Sequence, residues 1–406
     1  MTPDLSVTEL GRVIRRIEEK ARTAPPAARR ASLEGILDGA IEETDSGRIL
    51  VVRRRYDLEH RHGAEPLGRA SELALESLAL LARAGAAPAG RRLLYLDTET
   101  TGLAGGTGTY AFLVGVGFFD GATFEVRQYF MRDLDEEAAL LAALDGLFRE
   151  FDGLVTYNGG GFDLPLLETR FVLARRRFPA DVFHLDLLGP ARRLWSARLT
   201  DCRLGTLERH VLRFIREDDL PGALIPSVYF DYLRRKHPGQ LPRVFDHNRH
   251  DVLSLAALTG WVTLAVARAP VPDFHPAELA GLGRIWEAVD VERGLACYRM
   301  ALDGGLPSPG RERLLLRLAA AEKRRTRWDE ARLLWEAMIG ADRGFDPRPW
   351  EEIAKVHEHR RRDLPAARAV VEEALALARR TGAPDSVLAA FTHRLARITR
   401  RLAPLA

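Results

Sequence analysis

The sequence predicts a mixed α/β sheet flanked by helices, followed by an all-α region of helical repeats. Three observations lead there. Residues 91–131 hold three apolar runs, "RRLLYLDTE", "TYAFLVGVGFFDG" and "ATFEVRQYFM", in close succession, which reads as strands in hairpin order. From there to residue 188 helical and strand patterns alternate, as they do when helices cover the faces of a sheet. After Pro270 strand patterns stop, and three helical blocks recur with Gly294, Ala331 and Ala367 in register.

Taken in order, Leu5, Val7, Leu10, Val13, Ile14 and Ile17 fall at near-helical spacing, the mark of a short amphipathic helix. "RTAPPAARRA" breaks it. "RILVVRRRYDL" (48–58) reads as a strand and "ASELALESLALLARAG" (70–85) as a helix closed by Gly85. This first segment, 1–89, carries no chemistry and reads as an extension that prolongs or covers the next domain. In the domain at 90–268 the first strand runs into the Gly-rich "TGLAGGTG". After the two further strands come the helix "DEEAALLAALDGLFREF", the strand "DGLVTYN", the helix "FDLPLLETRFVLARRRF" and the strand "FHLDLL". In the third region, 272–406, "VERGLACYRMAL", "WDEARLLWEAMI" and "LPAARAVVEEAL" align so that Tyr298, Trp335 and Val371 also coincide. A small residue followed four later by a large one packs paired helices in tetratricopeptide-like arrays, although generic helical hairpins give a similar pattern. Stacked helix pairs make a concave surface suited to a protein or peptide partner.

Composition narrows the function classes. The 406 residues are 46% hydrophobic and 29% charged, an ordinary globular balance. With 60 basic and 57 acidic residues the net charge is only +3, so global charge makes no case for nucleic acid. Cys202 and Cys297 form no C-x-x-C pair, which argues against a disulfide framework or a zinc site and for thiols in a reducing compartment. The N-terminus lacks the apolar stretch of a secretory signal. No run approaches the roughly 18 apolar residues of a membrane span. The expectation is a cytoplasmic protein with no membrane partner.

The chemistry lies in the carboxylates. In "YLDTETTGL", Asp97 and Glu99 are two apart on a strand and point the same way. Like charges held this close repel unless something positive lies between them. A solvated strand end, a shared proton and a bound metal all account for the pair. In "YNGGGFDLPLL", Asp163 opens a helix with Pro165 nearby, the pattern of an N-cap. Asp186 in "HLDLLGPARRLW" reads as a cap or turn residue. In "DHNRHDVLSLAALTGWV", Asp251 sits in the first turns of a long apolar helix, where a lone Asp is usually a dipole partner. His247, four residues earlier, shares its face, and His250 is rotated away.

The order and spacing of these groups carry a resemblance. "D-x-E-T-T-G-L" at 97–103, "N-x-x-x-F-D-x-x-x-L" at 158–167 and "H-x-x-x-D" at 247–251 resemble the DEDD exonucleases of the ribonuclease-H-like superfamily. "DCRLGTLERHVL", "REDDLPGALIPSVYFDYL" and "HNRHDVLSL" look like the YprB-type branch of that superfamily, over roughly 90–265 and more loosely at "YDLEHRHG". The resemblance implies a ribonuclease-H-like fold and a metal-dependent 3′–5′ exonuclease acting on single-stranded DNA or RNA. It implies Asp97, Glu99, Asp163 and Asp251 as ligands of two Mg²⁺ or Mn²⁺ ions, and His247 as the catalytic residue that holds or deprotonates the attacking water. It also sets the 3′-terminal nucleotide against Thr100, with Leu103 stacking on the base and Asn158 contacting the substrate. The chain departs from the family in its third motif. One subgroup has His five residues before the last Asp, where Asp246 stands here; the other has Tyr four before, where His247 stands. The alternative is a catalytically weak or inactive nuclease-like fold that serves as a nucleic-acid-binding or protein-interaction scaffold, since fold alone does not guarantee activity. The Arg-rich stretch at 192–216 reads equally as a phosphate contact or a solvated face.

Overall fold

The computed structural model describes residues 32–83, 87–102, 108–179, 182–339 and 345–403. The helix expected at 5–21, Gly85 and Leu103 lie outside the described residues. The chain divides into two compact units, one of Met1–Arg192 with Leu199–Ala267 and one of Arg193–Arg198 with Arg268–Ala406.

The first unit begins with α1 (Leu33–Leu37), β1 (Gly39–Thr44), β2 (Gly47–Asp57), a small hairpin of β3 (Arg61–His62) and β4 (Glu65–Pro66), and α2 (Leu75–Ala82). Then come β5 (Leu93–Thr100), β6 (Ala111–Asp120), β7 (Thr123–Phe130), α3 (Glu137–Phe148), β8 (Gly153–Thr156), α4 (Asp163–Leu173), β9 (Phe183–Asp186) and α5 (Leu188–Trp195). The unit closes with α6 (Leu204–Leu207), which runs into a π-helical turn at Glu208–Leu212, then α7 (Ile225–Arg235) and α8 (Leu241–Arg268). Seven strands form one sheet in the order β1-β2-β7-β6-β5-β8-β9.

The strands expected in hairpin order are β5, β6 and β7, paired antiparallel. On the other side of β5, β8 and β9 add in parallel, which requires crossover connections of the kind α4 provides. The strand read at 48–58 is β2, and it pairs antiparallel with β7. Residues 39–57 therefore prolong the sheet. The first eight residues of β6 are all buried, which is why it reads as an unbroken apolar run. Its Phe112 stacks on Tyr229 of α7 with ring centroids 4.0 Å apart, and Val114 and Val116 join Leu140, Leu144 and Leu167 in the core.

Among the described residues one helix, α8, is long and apolar enough to cross a membrane, with an 18-residue window of mean hydropathy 1.4. That window is 78% buried within the protein, so α8 is a core helix. Ser254, Thr259, Gly260 and Thr263 interrupt its apolar run.

The second unit is helical: α9 (Pro276–Trp286), α10 (Val291–Asp303), α11 (Gly310–Arg324), α12 (Trp328–Glu336), α13 (Pro347–Lys355) with a π-helical continuation at Val356–Arg361, α14 (Leu364–Arg380) and α15 (Asp385–Leu402). The aligned small residues Gly294, Ala331 and Ala367 are buried, and so are Tyr298, Trp335 and Val371 four positions on. At Gly294 a Cβ would lie 2.8 Å from the Glu287 backbone nitrogen, an approach only glycine allows. Both cysteines are free thiols.

Candidate functional site

Strand β5 carries Asp97 and Glu99 on one face, and the register sets Asp97 opposite Gly115 and Gly115 opposite Gln128. The pairing with β6 shifts register between Glu99 and Thr100, a bulge of the kind that re-aims side chains at the end of a strand. Asp163 is the first residue of α4, but its N-cap is Phe162, which makes no side-chain cap bond. The Asp163 carboxylate instead accepts a hydrogen bond from Thr98 Oγ1 at 2.5 Å, so it turns back to β5. Asp251 lies ten residues beyond the start of α8 at Leu241 (251 − 241), too deep for a helix-dipole partner, whose effect fades within the first turn. His247 shares its face: His247 Nε2 is 3.4 Å from Asp251 Oδ2 and Nδ1 is 2.8 Å from Asp219 Oδ1. His250 faces elsewhere, with its ring centroid 5.2 Å from that of Phe214. Glu99, His247 and Asp251 each offer a ligand atom within 4.8 Å of the others, a buried acidic and imidazole group able to hold a metal ion.

The crowding shows in the acidities. Burial raises the Asp97 carboxyl well above its usual range, and Asp251, Glu99 and Asp163 add to the rise. Burial pushes Glu99 up to about 8 against the pull of His247, with Asp251 and Asp163 reinforcing it. Asp163 rises to about 6, again through burial and against its Thr98 hydrogen bond. Burial alone would lower His247, but the hydrogen bond to Asp219 and the charges of Asp251 and Glu99 carry it up to about 9. Glu99 Oε1 is buried with no hydrogen-bond partner. An acceptor left this way costs about 1–3 kcal/mol, and a cation is the partner that would satisfy it. Carboxylate oxygens are the donors that hard divalent ions take, so the residues present fit such an ion.

Several participants escaped the sequence reading. Asn248 is fully buried; it donates to Asp97 Oδ2 at 2.8 Å and accepts from Gln128 Nε2 at 2.9 Å. Its position three before Asp251 puts it on the same helical face, a signal the motif already held. Arg216 contacts Asp251 and Glu208. Asp186 accepts from the backbone N–H of Asn158 at 2.7 Å, Leu188 at 3.0 Å and Gly160 at 3.1 Å. It holds the turn where Asn158 takes a φ of 63°, as a cap and turn residue does. Thr100 and Asn158 line a cavity of about 350 Å³ together with Asp97, Glu99, Asp163 and Phe162, and Phe162 is 60% exposed there. A second cavity of about 770 Å³ is lined by Asp97, His247, Asp251, Arg216, Arg203 and Arg209 among others. Both cavities include Tyr157, whose hydroxyl donates to the Cys202 carbonyl.

A three-stranded antiparallel meander continued by parallel strands, with carboxylates on its first strand, is the class of fold represented by the RNase H superfamily, whose family model matches residues 94–263. The YprB protein of Bacillus subtilis (strain 168) is 31% identical over 335 residues, which cover 80% of this chain and 80% of that protein. The chain therefore belongs to the YprB family, with an RNase H-like domain. Among solved structures, the family B DNA polymerase from the hyperthermophilic archaeon Pyrobaculum calidifontis matches with a TM-score of 0.36 and 17% identity. That match covers 53% of this chain and 29% of the polymerase.

Proposed function

We propose that the protein is a metal-dependent 3′–5′ exonuclease that hydrolyses phosphodiester bonds of single-stranded DNA or RNA, and that it works in the cytoplasm. The reading is supported by the ligand atoms that Glu99, His247 and Asp251 offer within 4.8 Å of one another, with Glu99 Oε1 buried and unpartnered and the Asp97 carboxyl raised by Asp251, Glu99 and Asp163 nearby. Two divalent ions, Mg²⁺ or Mn²⁺, held by Asp97, Glu99, Asp163 and Asp251 would supply an activated water and neutralise charge on the phosphate and the departing oxygen.

The protein's own groups divide the remaining work. Asn248 and Thr98 fix the orientation of Asp97 and Asp163 by hydrogen bonds. Asp219 anchors His247 through Nδ1, leaving Nε2 toward Asp251 and the cavity. With its pKa pushed up to about 9, His247 keeps its Nε2 proton at neutral pH in the ion-free site. In this reading it donates a hydrogen bond to water or phosphate before it can act as a base. Thr100 and Asn158 line the smaller cavity, where a terminal nucleotide would sit, and the exposed Phe162 ring offers a face to its base. In the second unit, the helix pairs fit a tetratricopeptide-like array that binds a peptide or protein.

The test is digestion of 5′-labelled single-stranded DNA and RNA by the full chain with Mn²⁺, Mg²⁺ or EDTA, beside Asp97→Ala. A ladder shortening from the 3′ end, lost with EDTA and at least about 10²-fold slower in the variant, is expected, since loss of even an outer-shell partner of a metal site costs about 10–100-fold. Binding without cleavage in either metal would replace this reading with the scaffold alternative.

A further inference from the structure

Arg216 lies among the acids of the site; it opens the "REDDLPGALIPSVYFDYL" stretch but is not one of the ligands or catalytic residues that the resemblance implies. Its side chain is 10% exposed. Nη2 donates to Asp251 Oδ1 and to Glu208 Oε1, and Nε donates to Glu208 Oε2 at 2.8 Å. Nη1 is 3.5 Å from Asp219 Oδ2. Glu208 accepts in addition from Ser254 Oγ at 2.5 Å, and that hydroxyl is 2.7 Å from His62 Nε2. The guanidinium is thus gripped from both edges, and it cannot lose its charge.

This placement has a consequence for any ion in the site. Asp251 already has one oxygen on Arg216 and the other facing His247. Among the described residues, Asp97, Glu99 and Asp163 have no ion-pair partner. A divalent ion approaching Asp251 therefore meets a permanent positive charge in a poorly solvated pocket, where like charges repel far more strongly than in water.

We propose that Arg216 is an internal counter-ion that competes with a divalent cation for Asp251 and so lowers the ion affinity of the site. The inference rests on the metal-site reading given above. It reverses the sign expected of a merely supporting residue: loss of a support loosens ion binding, whereas loss of a competitor tightens it. Glu208 is the positioning residue that holds Arg216 on Asp251.

The experiment is titration of the full-length protein with Mn²⁺ alone, without nucleic acid, following the paramagnetic signal of the free ion. Arg216→Gln is expected to bind Mn²⁺ at least about tenfold more tightly than the wild type, and Arg216→Lys, which keeps the charge, within about threefold of it. Because Arg216→Gln leaves the buried Glu208 carboxylate unpaired, the double variant Arg216→Gln/Glu208→Gln is measured beside it, with circular dichroism as a check of the fold. The double variant is expected to tighten binding by about threefold, since a negative charge is lost with the positive one. Wild-type binding that Asp97→Asn abolishes, with binding unchanged or weaker in both Gln variants, overturns the proposal and leaves the metal site standing. No Mn²⁺ binding at millimolar concentration by the wild type or by either Gln variant overturns both.

Discussion

Asn248 joins Asp97 to the sheet behind it, and the sheet makes room for it with a glycine. A Cβ on Gly115 would lie 2.1 Å from Asn248 Oδ1. Asn248 cannot swing aside easily, because it is fully buried and bonded to both Gln128 and Asp97. Gly115→Ala is therefore expected to displace the amide and strand buried polar groups, at about 1–3 kcal/mol of stability. Urea denaturation measures that cost. The same variant should bind Mn²⁺ more weakly, because Asp97 loses its anchor. A normal Mn²⁺ isotherm in Gly115→Ala would mean that Asn248 does not orient Asp97. The residue scale also shows what sequence could and could not give. Asp97, Glu99 and the His247/Asp251 pair stood out because strand and helix periodicities relate neighbours two and four apart. Arg216 and Glu208 fall in quoted stretches but carried no role there, because their partners Asp251 and Ser254 lie 35 and 46 residues away and no local period links each to its partner.

Among the elements, the small β3–β4 hairpin is the one with a pH-dependent consequence. Ala64 donates its backbone N–H to Leu212 at 2.6 Å, and the His62 ring packs on Phe214 with centroids 3.9 Å apart. Burial, helped by His250 and Arg216, pushes His62 down to about 3. The folded protein thus keeps His62 neutral while the unfolded chain takes up a proton below about pH 6.5. With more protons on the unfolded state, stability rises with pH across this window. Acidification from pH 6.5 toward 3 should therefore remove up to about 1.4 kcal/mol per pH unit through this group alone. His62→Gln keeps a donor for Ser254 and does not titrate, so the acid slope of its urea stability between pH 6 and 4 should be shallower by about that amount. Identical slopes would show that the hairpin opens before His62 takes up its proton. The elements differed in how far they could be read. Strands β5 to β8 were legible because both faces are buried or alternate cleanly. β1, "GAIEET", was not, because Ile41 is its only large apolar residue and none of its residues is fully buried. Asp163 opens α4 as its sequence indicates, but the cap pattern is not realised, because the tertiary bond from Thr98 claims its carboxylate.

For the molecule as a whole, the division into a sheet-bearing part and a helical part was legible from the loss of strand patterns near Pro270. That the N-terminal segment prolongs or covers the sheet domain was legible too, but not which strand it joins. Nothing local in "RILVVRRRYDL" says which strand it will join, because pairing partners 66 to 80 residues apart are chosen by the whole fold. In the structure β2 pairs with β7 along Leu50 to Asp57, and Ile49, Leu50, Val51 and Val52 are almost completely buried. A chain that starts at Leu58 would lose β1 and β2 together. That would leave β7 as an edge of unpaired backbone groups beside an uncovered apolar surface, the condition that promotes aggregation. Burying four such side chains is worth roughly 6–12 kcal/mol at about 1.5–3 kcal/mol each, comparable with the total stability of a typical domain. The truncated chain is therefore expected to be insoluble or to elute in the void volume on gel filtration, whereas removal of residues 1–31 alone leaves every described strand in place. A monomeric 58–406 chain that retains Mn²⁺ binding would mean that five strands suffice to hold the site and that β1 and β2 are an appendage.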